Sequence, residues 1–186
     1  ISEAQIYGEK GDLEKMFDLY LDLVDKNENY FSTVQRYVAS FITDDKYDPN
    51  NALFKNLLLK RAQKNPKDAW NILLSWLFMQ QQEYKKALTQ EKSLFNRKPG
   101  SLERIREIGY ISFENEDYET SKNAFEFMLS KEKEVIIDDQ DVLFAEIYLL
   151  KIENNSIEKG ENRDRIEAKF EELISDYGYG EKTLEL

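Results

Sequence analysis

The sequence of 186 residues contains no cysteine and no histidine. These absences exclude disulfides, thiol nucleophiles, zinc sites built on those residues and acid-base catalysis by imidazole. The lack of cysteine does not identify a compartment, because it suits both the reducing cytosol and a cell-envelope protein without disulfides. Localisation therefore stays open between cytoplasm and periplasm.

The chain also lacks a long apolar run. Its longest mainly apolar stretch, residues 69–79, contains Asn71 and Ser75 and is far shorter than the roughly 20 residues that span a bilayer. Acidic residues outnumber basic ones 37 to 26, and the resulting net charge of −11 disfavours nucleic acid and anionic lipid as partners. We expect a soluble protein with no nucleic-acid partner and no direct membrane insertion.

A repeat of 34 residues runs through the middle of the chain. Tyr84 and Tyr118 are 34 residues apart, and so are Leu74 and Ile108. The same spacing relates Ser75 to Gly109, Ala87 to Ser121, and Leu94 to Met128. Apolar residues around these positions recur at helical spacing, and repeats of this size are typical of stacked helical hairpins.

Two further units precede these if one turn is longer. Leu13 and Met16 stand 71 residues before Tyr84 and Ala87, which is one unit of 34 residues plus one of 37. The three extra residues fall in residues 44–49. There Asp48 is expected to cap the next helix, with Pro49 in its first turn.

A looser unit follows, with a polar loop predicted at residues 153–163 and a helix end predicted at Gly178. The sequence thus predicts one solenoid over residues 1–178, with units at 1–30, 31–67, 68–101, 102–135 and 136–178. Residues 179–186 are either a tail or the start of a following segment. Because the pattern begins inside a hairpin, we interpret the chain as an excised piece of a longer protein.

The repeated residues resemble the tetratricopeptide repeat. The matching residues are Leu74-Ser75, Tyr84, Ala87 and Pro99 in one unit, and Ile108-Gly109, Asp117-Tyr118 and Ser121 in the next. Gly11-Asp12-Leu13 is similar to the family's turn, with Ala4 at the small position before it. The resemblance implies an all-α fold, a right-handed superhelix of antiparallel helical hairpins. The chain departs from the family at Met16 and Ser121, which replace alanine, and at the third turn, which has no glycine.

In this family, successive first helices line a concave surface that binds an extended peptide or a partner's helix. The corresponding residues here, which we call the candidate groove, are Ile72, Trp76, Met79, Gln80, Arg106, Tyr110, Phe113 and Glu114. The family's binders of chaperone tails use lysine and asparagine to hold a terminal carboxylate. Ile72 and Trp76 stand at those places, which disfavours that specificity. Packing in the core is the alternative for Trp76 and Tyr110.

Other charged groups are weaker candidates. The basic cluster Arg97, Lys98, Arg104 and Arg106 suits either an acidic peptide or phosphate, or a solvated helix end. The acidic runs at residues 44–48 and 138–141 lack the ligand spacing of a calcium loop and are interpreted as helix caps.

The sequence has no glycine-rich phosphate loop and no nucleophile elbow. We therefore expect no catalytic residue, no cofactor and no metal, and a non-catalytic scaffold for protein binding. The alternative is a structural segment whose groove is filled by its own chain or by self-association through exposed terminal repeats.

Overall fold

The computed structural model describes residues 2–156 and 163–178. Over these residues the chain is all-helical, and the prediction of an all-α fold is confirmed. A short 3-10 helix, Glu28–Tyr30, precedes the third helix. The α-helices are α1 (Ser2–Glu9), α2 (Leu13–Lys26), α3 (Phe31–Ala39), α4 (Pro49–Lys64), α5 (Asp68–Gln80), α6 (Tyr84–Arg97), α7 (Glu103–Glu114), α8 (Tyr118–Ser130), α9 (Asp139–Ser156) and α10 (Arg163–Tyr177).

The chain divides into two compact units, residues 1–94 and 95–186, with the boundary inside α6. The single solenoid over residues 1–178 stays a prediction. None of the described helices is long and apolar enough to cross a membrane.

The last predicted loop is shorter than expected. We predicted a loop at residues 153–163, but α9 continues to Ser156 and α10 begins at Arg163. Asn154 and Asn155 are exposed, so their polar side chains do not prevent the helix from continuing. Residues 157–162 lie outside the described part, and so does the predicted tail at 179–186. The predicted end of α10 is confirmed, because Gly178 has φ +76° and its N–H donates to the Ile174 carbonyl at 2.8 Å.

The same turn joins α1 to α2, α5 to α6, and α7 to α8. Three residues separate the helices, and the second of them has a positive φ in each case: 77° at Gly11, 56° at Gln82 and 63° at Glu116. These residues are separated by 71 and 34 residues, the spacings of the repeat. The structure therefore repeats where the sequence does, even though glycine is present only once.

Hydrogen bonds of one pattern close these turns. An N–H at the end of the turn donates to a carbonyl five residues earlier, as in the helix ending known as the Schellman motif. The three bonds are Asp12 to Tyr7 at 2.9 Å, Glu83 to Phe78 at 2.8 Å, and Asp117 to Ser112 at 2.9 Å.

Aspartates fix three helix starts. Asp12 and Asp117 accept bonds from the N–H groups of Lys15 and Thr120, both at 3.1 Å. Asp48 accepts from the Asn50 N–H at 2.7 Å, and α4 begins at the following proline. A capping carboxylate satisfies an N–H that has no partner within its helix. The predicted start of α4 is confirmed.

The core of residues 1–94 is aromatic. Phe17 on α2 and Phe54 on α4 are fully buried, with ring centroids 5.1 Å apart. Beside them, Arg61 on α4 bonds to Asp18 at 2.5 Å and to Asp22 at 2.7 Å. Burial opposes the charge of Arg61, but these two carboxylates outweigh it and raise the pKa of the guanidinium. This ion pair network ties α2 to α4.

In the second unit, α7 comes close to α8 at Gly109. A Cβ there would stand 2.9 Å from the Phe125 ring and 3.1 Å from the Ala124 Cβ, both on α8. Glycine therefore allows α7 and α8 to come together, as the small residue of the repeat predicted. Leu143, Ile147 and Leu150 of α9 are buried and form one apolar cluster with Leu173 of α10.

Candidate functional site

The first half of the candidate groove lies on α5. Ile72, Trp76 and Met79 are half-buried, and Gln80 is exposed. The Trp76 ring meets the edge of Phe54, with centroids 6.5 Å apart and planes at 83°. Trp76 therefore packs against α4 with one part of its ring and leaves another part at the surface.

The second half lies on α7 and belongs to the other compact unit. Tyr110 is 41% exposed, although its ring lies 5.7 Å from Tyr148 and 6.2 Å from Phe144 on α9. Phe113 is half-buried, and its ring centroid lies 5.0 Å from that of Tyr148. The side chains at 110 and 113 thus join one aromatic cluster, while Glu114 is exposed beside it.

The Arg106 side chain already interacts with other residues of this chain. Its guanidinium forms an ion pair with Asp141 of α9 and lies 5.7 Å from the centre of the Phe144 ring. Arg97 and Arg104 of the basic cluster also have interaction partners. Anion binding at this cluster would have to compete with these contacts.

Asp48 and Asp138 of the acidic runs cap the starts of α4 and α9, whereas Asp45 bonds within the turn before α4. Asp45 accepts from the Tyr47 N–H at 2.8 Å, and Asp138 from the Gln140 N–H at 2.7 Å. Among residues 2–156 and 163–178, no group of three or more acidic side chains could hold a metal ion.

A cleft that sequence reasoning missed lies between α8, α9 and α10 in the second unit. Its volume is about 860 Å³. Leucines line it together with carboxylates, and the carboxylates are Glu119, Glu126, Glu146, Glu153, Glu172 and Asp176. One signal was available: Glu146, Leu149, Leu150 and Glu153 have the spacing of a single helix face. Because the sequence predicted a loop from residue 153 onwards, Glu153 was not assigned to this helix face.

Glu146 of α9 lies in this cleft. Burial raises its pKa, and repulsion by Glu132, Asp176 and Glu172 raises it further. Burial also raises the pKa of Tyr177 at the same cleft, and Glu146 is the strongest of the carboxylates that add to this effect. The cleft therefore concentrates negative charge beside an apolar surface.

Comparison with known proteins gives no match to a family model, to a curated protein or to a solved structure. The resemblance to tetratricopeptide repeats therefore rests on the residues and their spacing. Functional inference has to start from the geometry of the groove and the cleft.

Proposed function

We propose that the chain is a non-catalytic scaffold that binds a peptide or helix of another protein at the candidate groove. The observation that carries this proposal is the environment of Tyr110. Phe144 and Tyr148 hold its ring, yet 41% of the side chain is exposed. A tyrosine fixed in this way loses little conformational entropy on binding, and such residues are common binding anchors.

We also propose that the hairpins stack as a tetratricopeptide-like superhelix, so that successive first helices face the ligand. The turn that recurs at Gly11, Gln82 and Glu116 supports this arrangement, because it joins three helix pairs with the same backbone conformation at the spacing of the repeat. The net charge of −11 favours a protein ligand over nucleic acid.

A structural role is the second candidate, and the contacts of Arg106 and Phe113 favour it. Both side chains already contact α9: Arg106 forms an ion pair with Asp141, and the Phe113 ring packs against Tyr148. In that case the groove is a packing surface, filled by the protein's own chain or by another copy of it.

The test compares Tyr110→Ala and Trp76→Ala with Tyr47→Ala, whose tyrosine is 80% exposed and outside the groove. Partners captured by the wild type from a native extract are identified by mass spectrometry, and each variant is measured by circular dichroism. The proposal expects the two groove variants to lose a partner that Tyr47→Ala retains, with helicity unchanged. Unfolding of the groove variants would instead support the structural role.

A further inference from the structure

The cleft between α8, α9 and α10 has a volume close to that of a short helix. All three bordering helices line it, and α9 contributes residues 146, 149, 150, 152 and 153, which span about 10 Å at 1.5 Å per residue. The lining residues of α8 are Tyr118, Glu119, Lys122, Glu126 and Leu129, and those of α10 are Lys169, Glu172, Leu173, Asp176 and Tyr177. Two to three turns of a helix occupy on the order of 1,000 Å³, comparable with the cleft's volume of about 860 Å³.

The rim of the cleft carries an excess of negative charge. Six carboxylates line it against two lysines, so the lining has a net negative charge, although Arg165 of α10, outside the lining, also pairs with Glu153. Lys122 is 3.7 Å from Glu126, and Lys169 is 3.2 Å from Glu153, so both lysines are already paired within the rim. A cationic ligand would complement this rim, and an anionic one would be repelled.

The cleft is also apolar. Leu129, Leu149 and Leu173 line it between the carboxylates. Leu173 is already buried against α9, but a ligand that offered charge alone would leave the exposed parts of Leu129 and Leu149 in contact with water. A helix with one apolar face and basic residues along its edges satisfies both features, since the apolar face covers the leucines and the cations reach the rim.

We propose that this cleft binds a lysine- or arginine-bearing amphipathic helix of a partner protein. The site uses other residues than the candidate groove and does not depend on it. Glu146 is the charge that we test, because it lines the cleft from α9 and Glu132, Glu172 and Asp176 all repel its carboxylate. A ligand cation beside Glu146 would reverse this repulsion.

The test uses a fluorescein-labelled synthetic helix of about 14 residues, or four turns, with leucines on one face and lysines on the other. Fluorescence anisotropy measures its binding to the full chain. One control peptide carries glutamate in place of lysine, and another has the same composition without an apolar face. We expect only the first peptide to bind, with a dissociation constant in the range of about 1 to 100 μM, weakened by salt.

Two variants that each remove one negative charge distinguish binding at this cleft from general attraction to an acidic chain. Glu146→Gln should weaken binding about three- to tenfold. Glu107→Gln removes an exposed charge of α7 outside the cleft and should leave the affinity unchanged. Leu149→Asn should weaken binding as well, whereas Tyr110→Ala should not, which distinguishes this site from the candidate groove.

Three results would overturn the proposal. The first is no binding of the lysine peptide, or equal binding of the peptide without an apolar face. The second is equal weakening by Glu146→Gln and Glu107→Gln. The third is evidence that something else occupies the cleft. A dimer in sedimentation that Leu149→Asn dissociates would point to a second copy of the chain, and peptide binding that appears only after residues 179–186 are deleted would point to that segment.

Discussion

Gly8 on α1 lies directly against Met16 on α2, and a Cβ at Gly8 would stand 2.6 Å from the Met16 sulfur. Met16 is 1% exposed and takes the place that Ala87 holds 71 residues later. At the same spacing, Gly8 corresponds to Met79. The first unit thus has glycine and methionine where the third has methionine and alanine, and we infer that the small residue at 8 makes room for the large one at 16.

A double-mutant cycle tests this inference. Met16→Ala alone should cost about 2 to 5 kcal/mol in the free energy of unfolding, because it leaves a cavity. Gly8→Met alone should cost about 1 to 3 kcal/mol through overpacking. The double variant should be more stable than the sum predicts by about 1 kcal/mol or more. Urea denaturation provides the measurement, and simple additivity would show that the two positions do not compensate.

Gly109 should tolerate no large side chain. The Phe125 ring and the Ala124 Cβ stand within 3.1 Å of a Cβ placed there, so Gly109→Leu should lower the free energy of unfolding by about 1 to 3 kcal/mol or more. The matched control is Gly100→Leu, since Gly100 is exposed and a Cβ there would come no nearer than 3.9 Å to another atom. Equal melting temperatures for the two variants would contradict the close approach of α7 and α8.

The sequence predicted the start of α4 and the end of α10, because the signals that start and end a helix lie in adjacent residues. Asp48 and Pro49 suffice to start α4, and Gly178 to end α10. The pairing of Gly8 with Met16 could not be predicted from the sequence. In the repeat, each of the two residues is only an unusual residue at its own position. The meaning of the pairing lies in a contact between two helices.

The candidate site was predicted less well for a related reason. The positions of Trp76 and Tyr110 followed from the repeat, but their exposure depends on Phe54, Phe144 and Tyr148, which come from other helices. The cleft joins three helices, and no single segment reveals its charge.

The turns offer a stabilising change. Gln82 and Glu116 adopt φ values of 56° and 63°, where any Cβ costs roughly 1 to 2 kcal/mol relative to glycine. Gln82→Gly and Glu116→Gly should each raise the free energy of unfolding by about 1 kcal/mol.

Gly11→Gln provides the reverse test. A Cβ at Gly11 would meet nothing within 4 Å, so its cost is conformational and should be about 1 kcal/mol. Thermal unfolding of the three variants measures all of these effects. If both glycine variants melted below the wild type, the turn would owe its stability to contacts of the Gln82 and Glu116 side chains.

Glu146 should make stability depend on pH. Its folded pKa is raised by burial and then by neighbouring carboxylates on α10 and at Glu132, so the folded chain binds this proton more tightly than the unfolded chain does. The contribution of the neutral form is complete below the ordinary pKa of 4.5 and is lost as the pH rises through the raised value.

Glu146→Gln removes that dependence, because glutamine stays neutral at every pH. Since the side chain is only half-buried, solvent screens part of the repulsion, and we expect the variant to melt on the order of 2 °C above the wild type at neutral pH. The difference should shrink towards zero near about pH 4, whereas Glu107→Gln should show no such trend. A variant that weakened peptide binding while raising the melting temperature would identify Glu146 as a charge kept at a cost to stability. A lower melting temperature at neutral pH would mean that the carboxylate is stabilised within the fold.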